Sequence, residues 1–274
     1  MENRDYNYYQ ANAADINLEE ITSSALNAYS LMRLRDDDDN LYHLYLGVEG
    51  SIMQFAFREG DDLGWLGYFI GRSQCIQRLS IYYLPDGEEG HALLGGISRS
   101  QSIRDIGIHD VSNDTFTSVM RALHSLSQLE ELTIDGNNTV GPVGWSELQT
   151  LLESGVCKLR KLDLRGNNYI GNAGLDVLSN GLRGIGSSLK VLRLIDISIG
   201  NEGLLTVVQA LQNCTSLDLE TLQLSHNNFS SAAAGLGCLS NWLRRDEVNL
   251  QYLKLSYCRI NDVGLHELFQ GAAN

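Results

Sequence analysis

The amino-acid sequence predicts an α/β solenoid, in which repeated units each add one strand to a parallel sheet and one helix to the layer outside it. Three observations predict this. First, the pattern LxxLxL recurs, beginning at Ile76, Ile103, Leu129, Leu159, Leu189, Leu219 and Leu250, at intervals of 27, 26, 30, 30, 30 and 31 residues. Second, the last two apolar positions of each copy lie two apart, which is strand periodicity, while the residues that follow space their apolar side chains three and four apart, which is helical. Third, one such unit cannot bury its own apolar face, so like units must stack and share a core.

The elements follow in chain order. Residues 1–16, MENRDYNYYQANAADI, are polar and tyrosine-bearing with no packing pattern, and are expected to be mobile. Residues 17–40 form the next segment. Within it Leu18, Ile21, Ala25, Tyr29 and Met32 fall near one helical stripe, so a helix is expected to cover the open core of the first strand. Asp36, Asp37, Asp38 and Asp39 end this segment as an acidic run. Calcium loops space their oxygens and add a turn glycine and a distal glutamate, so a solvated loop is expected here rather than a cation site.

Residues 41–274 read as an array of about eight units, opened by a poorer copy at Leu41, LYHLYLGVE. Helical stripes are clear at Leu175, Leu178 and Leu182, and at Leu204, Val207, Val208 and Leu211. Asn137, Asn167 and Asn227 follow the last strand residue of their LxxLxL by three positions, where a side chain turned inward would satisfy backbone groups at the bend. Cys258 occupies the equivalent place, but Ile197, Val111 and Leu84 cannot serve in that way. Gly144, Gly174, Gly203 and Gly264 stand at the first helical turns, where close packing favours a missing side chain.

The pattern LxxLxLxxN, the long helical segment and the phrases IGNAGL, IGNEGL and INDVGL resemble the ribonuclease-inhibitor-like subclass of leucine-rich repeat proteins, over roughly residues 41–274. The resemblance implies a horseshoe with a concave parallel sheet inside and helices outside. It also implies a binding scaffold, since the family includes ribonuclease inhibitors, the sensing regions of innate immune receptors and Ran GTPase activators. It selects no partner.

Composition narrows the function. With 34 acidic against 20 basic residues the formal charge is -14, which disfavours nucleic acid and anionic lipid and favours a basic partner. The start of the chain lacks a basic-then-apolar signal pattern, and no stretch of about 18 apolar residues offers a membrane span. The five cysteines, Cys75, Cys157, Cys214, Cys238 and Cys258, are odd in number and lack CxxC spacing, pointing to reduced thiols and a cytoplasmic protein. Glycosylation-type triplets at Asn113, Asn137, Asn213 and Asn228 would matter only in a secreted chain.

No constellation for catalysis emerges. The sequence has no GxxxxGK[ST] loop, GxSxG turn or HExxH pair, and His43, His91, His109, His124, His226 and His266 lack metal-ligand spacing. Cys157 and Cys258 read as small buried hydrophobes rather than nucleophiles. No cofactor or metal is expected.

Strand alternation instead selects a surface. Where Leu162 and Leu164 point inward, Lys161, Asp163 and Arg165 must point to the concave face. The same register gives candidate partner-binding residues along the array: Tyr45; Arg78 and Tyr82; Asp105 and His109; Glu131 and Asp135; Lys161, Asp163 and Arg165; Val191, Arg193 and Ile195; Tyr252 and Lys254. An acidic zone at Asp105, Glu131 and Asp135 is followed by a basic one at Lys161, Arg165 and Arg193. The function expected is a non-catalytic scaffold holding a protein or peptide across this face. The alternatives are a GTPase-activating protein resembling the Ran activator, or the recognition arm of a larger sensor. At the carboxy-terminal end Val263, Leu265, Leu268 and Phe269 lie beside the uncovered strand positions Leu253 and Leu255, so self-association is expected there.

Overall fold

A computed structural model describes residues 4–22, 24–48, 53–185, 188–214 and 217–270, without the side chains of 172 and 173. Residues 1–3 of the amino-terminal segment and 271–274 of the last repeat lie outside the described residues. The chain divides into two compact units, residues 1–129 and 130–274.

In the first unit the elements are α1 (Tyr6–Asn12), α2 (Ala25–Arg35), β1 (His43–Gly47), β2 (Phe55–Ala56), α3 (Leu63–Arg72), β3 (Arg78–Ile81), α4 (Glu88–Ile97), β4 (Asp105–His109) and α5 (Asn113–Leu123). Its strands run parallel in the order β2-β1-β3-β4. The second unit holds β5 (Glu131–Asp135), α6 (Pro142–Glu153), β6 (Lys161–Asp163), α7 (Gly171–Ile185), β7 (Val191–Arg193), α8 (Asn201–Asn213), β8 (Thr221–Gln223), α9 (Ala233–Leu243), β9 (Tyr252–Lys254) and α10 (Asp262–Phe269). Its strands are also parallel and in sequence order, β5 to β9. This is the expected α/β leucine-rich repeat solenoid.

The register aligns equivalent leucines. Leu132, Leu162, Leu192, Leu222 and Leu253 pair as neighbours across the second unit, and all but Leu253 are fully buried. Each fully buried leucine or isoleucine contributes roughly 1.5–3 kcal/mol, so stacked copies supply the core that one copy lacks. The helices lock in the same way. A Cβ on Gly203 would lie 2.9 Å from Leu175 Cδ1, one on Gly235 3.0 Å from Leu204 Cδ2, and one on Gly264 2.8 Å from Leu236 Cδ1. The leucine of one helix therefore sits over the glycine of the next, as expected for Gly203 and Gly264.

The asparagines turn inward as the sequence suggests. Asn227 Nδ2 donates to the carbonyls of Leu194 at 2.7 Å and Leu224 at 2.8 Å, while its Oδ1 accepts from the amides of Ile197 and Ile199. In the final copy the Cys258 thiol donates to Leu224 O at 3.2 Å.

The amino-terminal expectations need correction. Residues 6–12 are helical rather than mobile: Asp5 caps α1 by accepting from the Tyr8 amide, and Tyr9 is buried edge-on to Trp65 with 4.9 Å between ring centroids. Gly64 permits this, because a Cβ there would strike the Tyr9 hydroxyl. The helix α2 exists, but it does not bury the stripe expected. Tyr29 and Met32 are exposed, whereas Asn27, Ser30, Leu31 and Leu34 are buried. The inward polar groups are matched: Asn27 Nδ2 donates to Ala56 O and to Asp61 Oδ2, both at 2.8 Å, and Ser30 Oγ donates to Gln54 O at 2.5 Å. These bonds hold α2 to β2, a strand absent from the sequence reading that pairs with β1 on the side opposite β3. No described helix is long and apolar enough to cross a membrane.

Candidate functional site

Alternation along the strands gives each unit's sheet a core face and an opposite, open face. In β5 the burial pattern puts Leu132 and Ile134 in the core and Glu131, Thr133 and Asp135 on the open side. Register then arranges the second unit's open face in rows. The first row is Glu131, Lys161, Val191, Thr221 and Tyr252; the second is Thr133, Asp163, Arg193, Gln223 and Lys254. A third row, Asp135, Arg165, Ile195, Ser225 and Ser256, is set by backbone bonds just beyond the strands, such as Gly166 N to Ile195 O at 2.9 Å and His226 N to Ser256 O at 2.8 Å.

The expected zones of charge are paired across strands. Lys161 Nζ lies 2.8 Å from Glu131 Oε2. Asp163, fully buried, accepts from Arg165 Nε at 3.1 Å and from its Nη2, and from Arg193 Nη1 at 3.3 Å. One carboxylate thus serves two guanidiniums. The hydrogen bond to Asp163 holds the Arg165 guanidinium above its usual pKa, with Asp135 adding to the effect. Asp163 is consequently a covered anchor rather than a contact residue, whereas Tyr252, 61% exposed, and Lys254 stand clear. Val191 and Ile195 are half-buried between the rows.

In the first unit, Arg78 Nε lies 2.6 Å from Asp105 Oδ2, and the rings stack in pairs, His43 on Tyr45 at 3.9 Å and Tyr82 on His109 at 4.4 Å. Burial, with Arg78 and His109 adding to it, lowers the His43 pKa to about 4. A hydrogen bond between His43 Nε2 and Ser80 Oγ at 2.9 Å satisfies its neutral ring.

The four-aspartate run lies in a partly exposed loop, as expected, and is also tied down by its neighbours. Arg35 pairs with Asp36 at 3.2 Å and Arg33 with Asp38 at 2.5 Å; Asp37 accepts from Ser73 Oγ at 2.6 Å and the Gln74 amide at 3.1 Å. The Cys75 thiol donates to Asp39, which pushes its pKa up to about 11, and burial raises Cys157 to about 11 as well. These thiols stay protonated near neutral pH, which disfavours nucleophilic chemistry.

One feature escaped sequence reasoning. The residue just before each inward asparagine position is left-handed in six copies: Asp110, Gly136, Gly166, Asp196, His226 and Tyr257. Glycine suits this bend, but His226 at φ 62° and Tyr257 at φ 58° are strained there. Their rings stack at 4.8 Å beside Arg259, with Tyr257 80% exposed. The alignment of these residues with Gly136 and Gly166 was the available signal.

A model described as a leucine-rich repeat matches residues 157–179 and 248–269, the strand and helix of two copies. This chain carries leucine-rich repeats. Its repeats are of the ribonuclease-inhibitor-like kind: it is 30% identical to the ribonuclease inhibitor of Mus musculus over 167 residues, and 31% identical to that of Sus scrofa over 170. Those alignments cover 61% and 62% of this chain but 34% and 35% of the inhibitors, so the chain spans about a third of the length of the curated relatives it matches. Among solved structures it is similar to the actin-binding site 2 of leiomodin-1 (TM-score 0.42, 15% identity, covering 59% of this chain and 91% of that one). It is also similar to the yeast Rad7 and Elc1 complex (TM-score 0.43, 14% identity, 98% and 71%).

Proposed function

We propose that this chain is a non-catalytic interaction scaffold that holds a protein or peptide across its open strand face. The observation that carries the reading is the second unit's open face, where register between parallel strands sets the side chains in rows opposite the buried leucines. Tyrosine, arginine and branched aliphatic residues, the types that anchor protein interfaces, occupy it at Tyr252, Arg193, Val191 and Ile195. The sheet fixes their spacing before a ligand arrives, which lowers the ordering cost of binding. The name of the mouse and pig relatives, ribonuclease inhibitor, agrees with action through a bound protein. Five free cysteines fit a reducing, cytoplasmic compartment.

Affinity capture tests this reading. Charge reversal at Lys161, Arg165 and Lys254, one at a time, should reduce recovery of a partner that the unaltered chain captures, while Asp176→Lys on α7 should not. Equal recovery with all three open-face variants would remove the open face as the binding surface.

A further inference from the structure

The whole-chain charge of -14 conceals an uneven distribution. Residues 1–129 carry 19 of the 34 acidic side chains and nine of the 20 basic ones, so most of the excess lies in the first unit. Within the second unit the charges separate by side. Its helices carry six carboxylates, on α6, α7, α8 and α10, against one arginine, Arg183. The open face over β6 to β9 has the opposite balance: Lys161, Arg165, Arg193 and Lys254 stand against Asp163, which is buried beneath two of them, while Lys161 is paired with Glu131 on the neighbouring β5.

From this we infer that the β6–β9 face takes an acidic peptide segment of a partner protein, so that the partner's local charge is opposite to the one the net charge suggests. The inference rests on the open-face reading above and gives its ligand a chemistry. Asp163 neutralises one guanidinium charge of two, so the Arg165–Arg193 pair keeps a net positive charge at the partly exposed face. Lys254 and Arg259 are exposed and take part in no ion pair among the described residues. The strand positions of β7, β8 and β9 hold no carboxylate, and Asp196, just past β7, lines the depression that Tyr257 and Arg259 share. Tyr252, beside Lys254, and Tyr257, beside Arg259 at the end of the same repeat, add aromatic surface for the apolar residues of such a segment. The strained left-handed backbone at Tyr257 keeps its ring out in solvent, where it can be used.

The test uses the full chain and fluorescence anisotropy with three labelled probes: a twelve-residue oligoglutamate, an oligolysine of equal length and a single-stranded oligothymidine. Oligoglutamate should bind at low ionic strength and weaken as salt rises. Lys254→Glu and Arg259→Glu should each reduce that affinity by about three- to tenfold. Lys254→Gln should have a smaller effect in the same direction, and Asp176→Lys none. Melting curves establish that each variant is folded. Three results would overturn the inference: no binding of oligoglutamate, binding unchanged by both charge reversals, or tighter binding of oligothymidine than of oligoglutamate. Oligolysine binding that is lost on Glu131→Lys would also overturn it, while leaving the open face intact as a binding surface.

Discussion

The side chain of Asn167 closes the backbone of Asn137 one repeat earlier: its Oδ1 accepts the Asn137 amide at 2.8 Å, while its Nδ2 donates to Ile134 O at 2.9 Å. Where the strand ladder stops, the asparagine continues it. Asn167→Ala should strand buried backbone groups and destabilise the fold by about 2–4 kcal/mol. Cys258→Ala, which removes only weak thiol contacts, should cost less than about 1 kcal/mol. Denaturant titration of the two variants checks the difference.

Glycine contacts give a second ranked pair. A Cβ on Gly96 would lie 2.1 Å from the Gly67 carbonyl carbon, backbone that cannot yield, while one on Gly203 meets only the side-chain ends of Leu175 and Ile199 at 2.9 Å. Gly203→Ala should cost about 1–3 kcal/mol, and Gly96→Ala more, because α3 and α4 must separate. Thermal melts of both variants decide the order.

A third prediction concerns Asp163. Asp163→Asn keeps its shape but leaves Arg165 and Arg193 without their shared charge. Breaking a fully buried ion pair costs about 3–5 kcal/mol, and because both guanidiniums are partly solvated about 1–3 kcal/mol is expected here. Added salt should diminish the difference between variant and parent.

His43 predicts a pH dependence. Its folded pKa, about 4, lies below the ordinary 6.5, so the unfolded chain binds the extra proton between those values. The stability gained from the neutral ring is therefore present above pH 6.5 and is lost as the pH falls toward about 4. Denaturant titrations across that window should show a weaker slope in His43→Gln than in the parent.

Much of this fold was legible because repetition states the same constraint many times: a leucine at Leu162 is ambiguous alone, but not when Leu132, Leu192 and Leu222 follow the same spacing. The amino-terminal elements were not legible for the opposite reason. Each occurs once, and α2 buries Asn27 and Ser30 through specific hydrogen bonds that hydrophobic periodicity does not register. The open-face residues were also readable, since alternation follows from strand geometry. Their pairing was not, because whether Asp163 is exposed or lies beneath Arg165 and Arg193 depends on register between strands and on side-chain rotamers.

The edge at β9 yields a prediction on assembly. Leu253 and Leu255 are only partly covered, and Val263 and Phe269 are each 60% exposed. We propose self-association there, as apolar side chains that inner repeats bury remain accessible. Sedimentation should show a concentration-dependent increase in mass, reduced by Phe269→Ser.

The central claim is that ligands meet the open strand face, and site-directed photo-crosslinking tests it most directly. A photoreactive side chain is placed at Lys254 on β9 or, in a second variant, at Asp176 on α7, and each is irradiated with the captured partner. Crosslinks from position 254 and none from position 176 are expected. Crosslinks from position 176 alone would contradict the claim and move the binding surface to the helices.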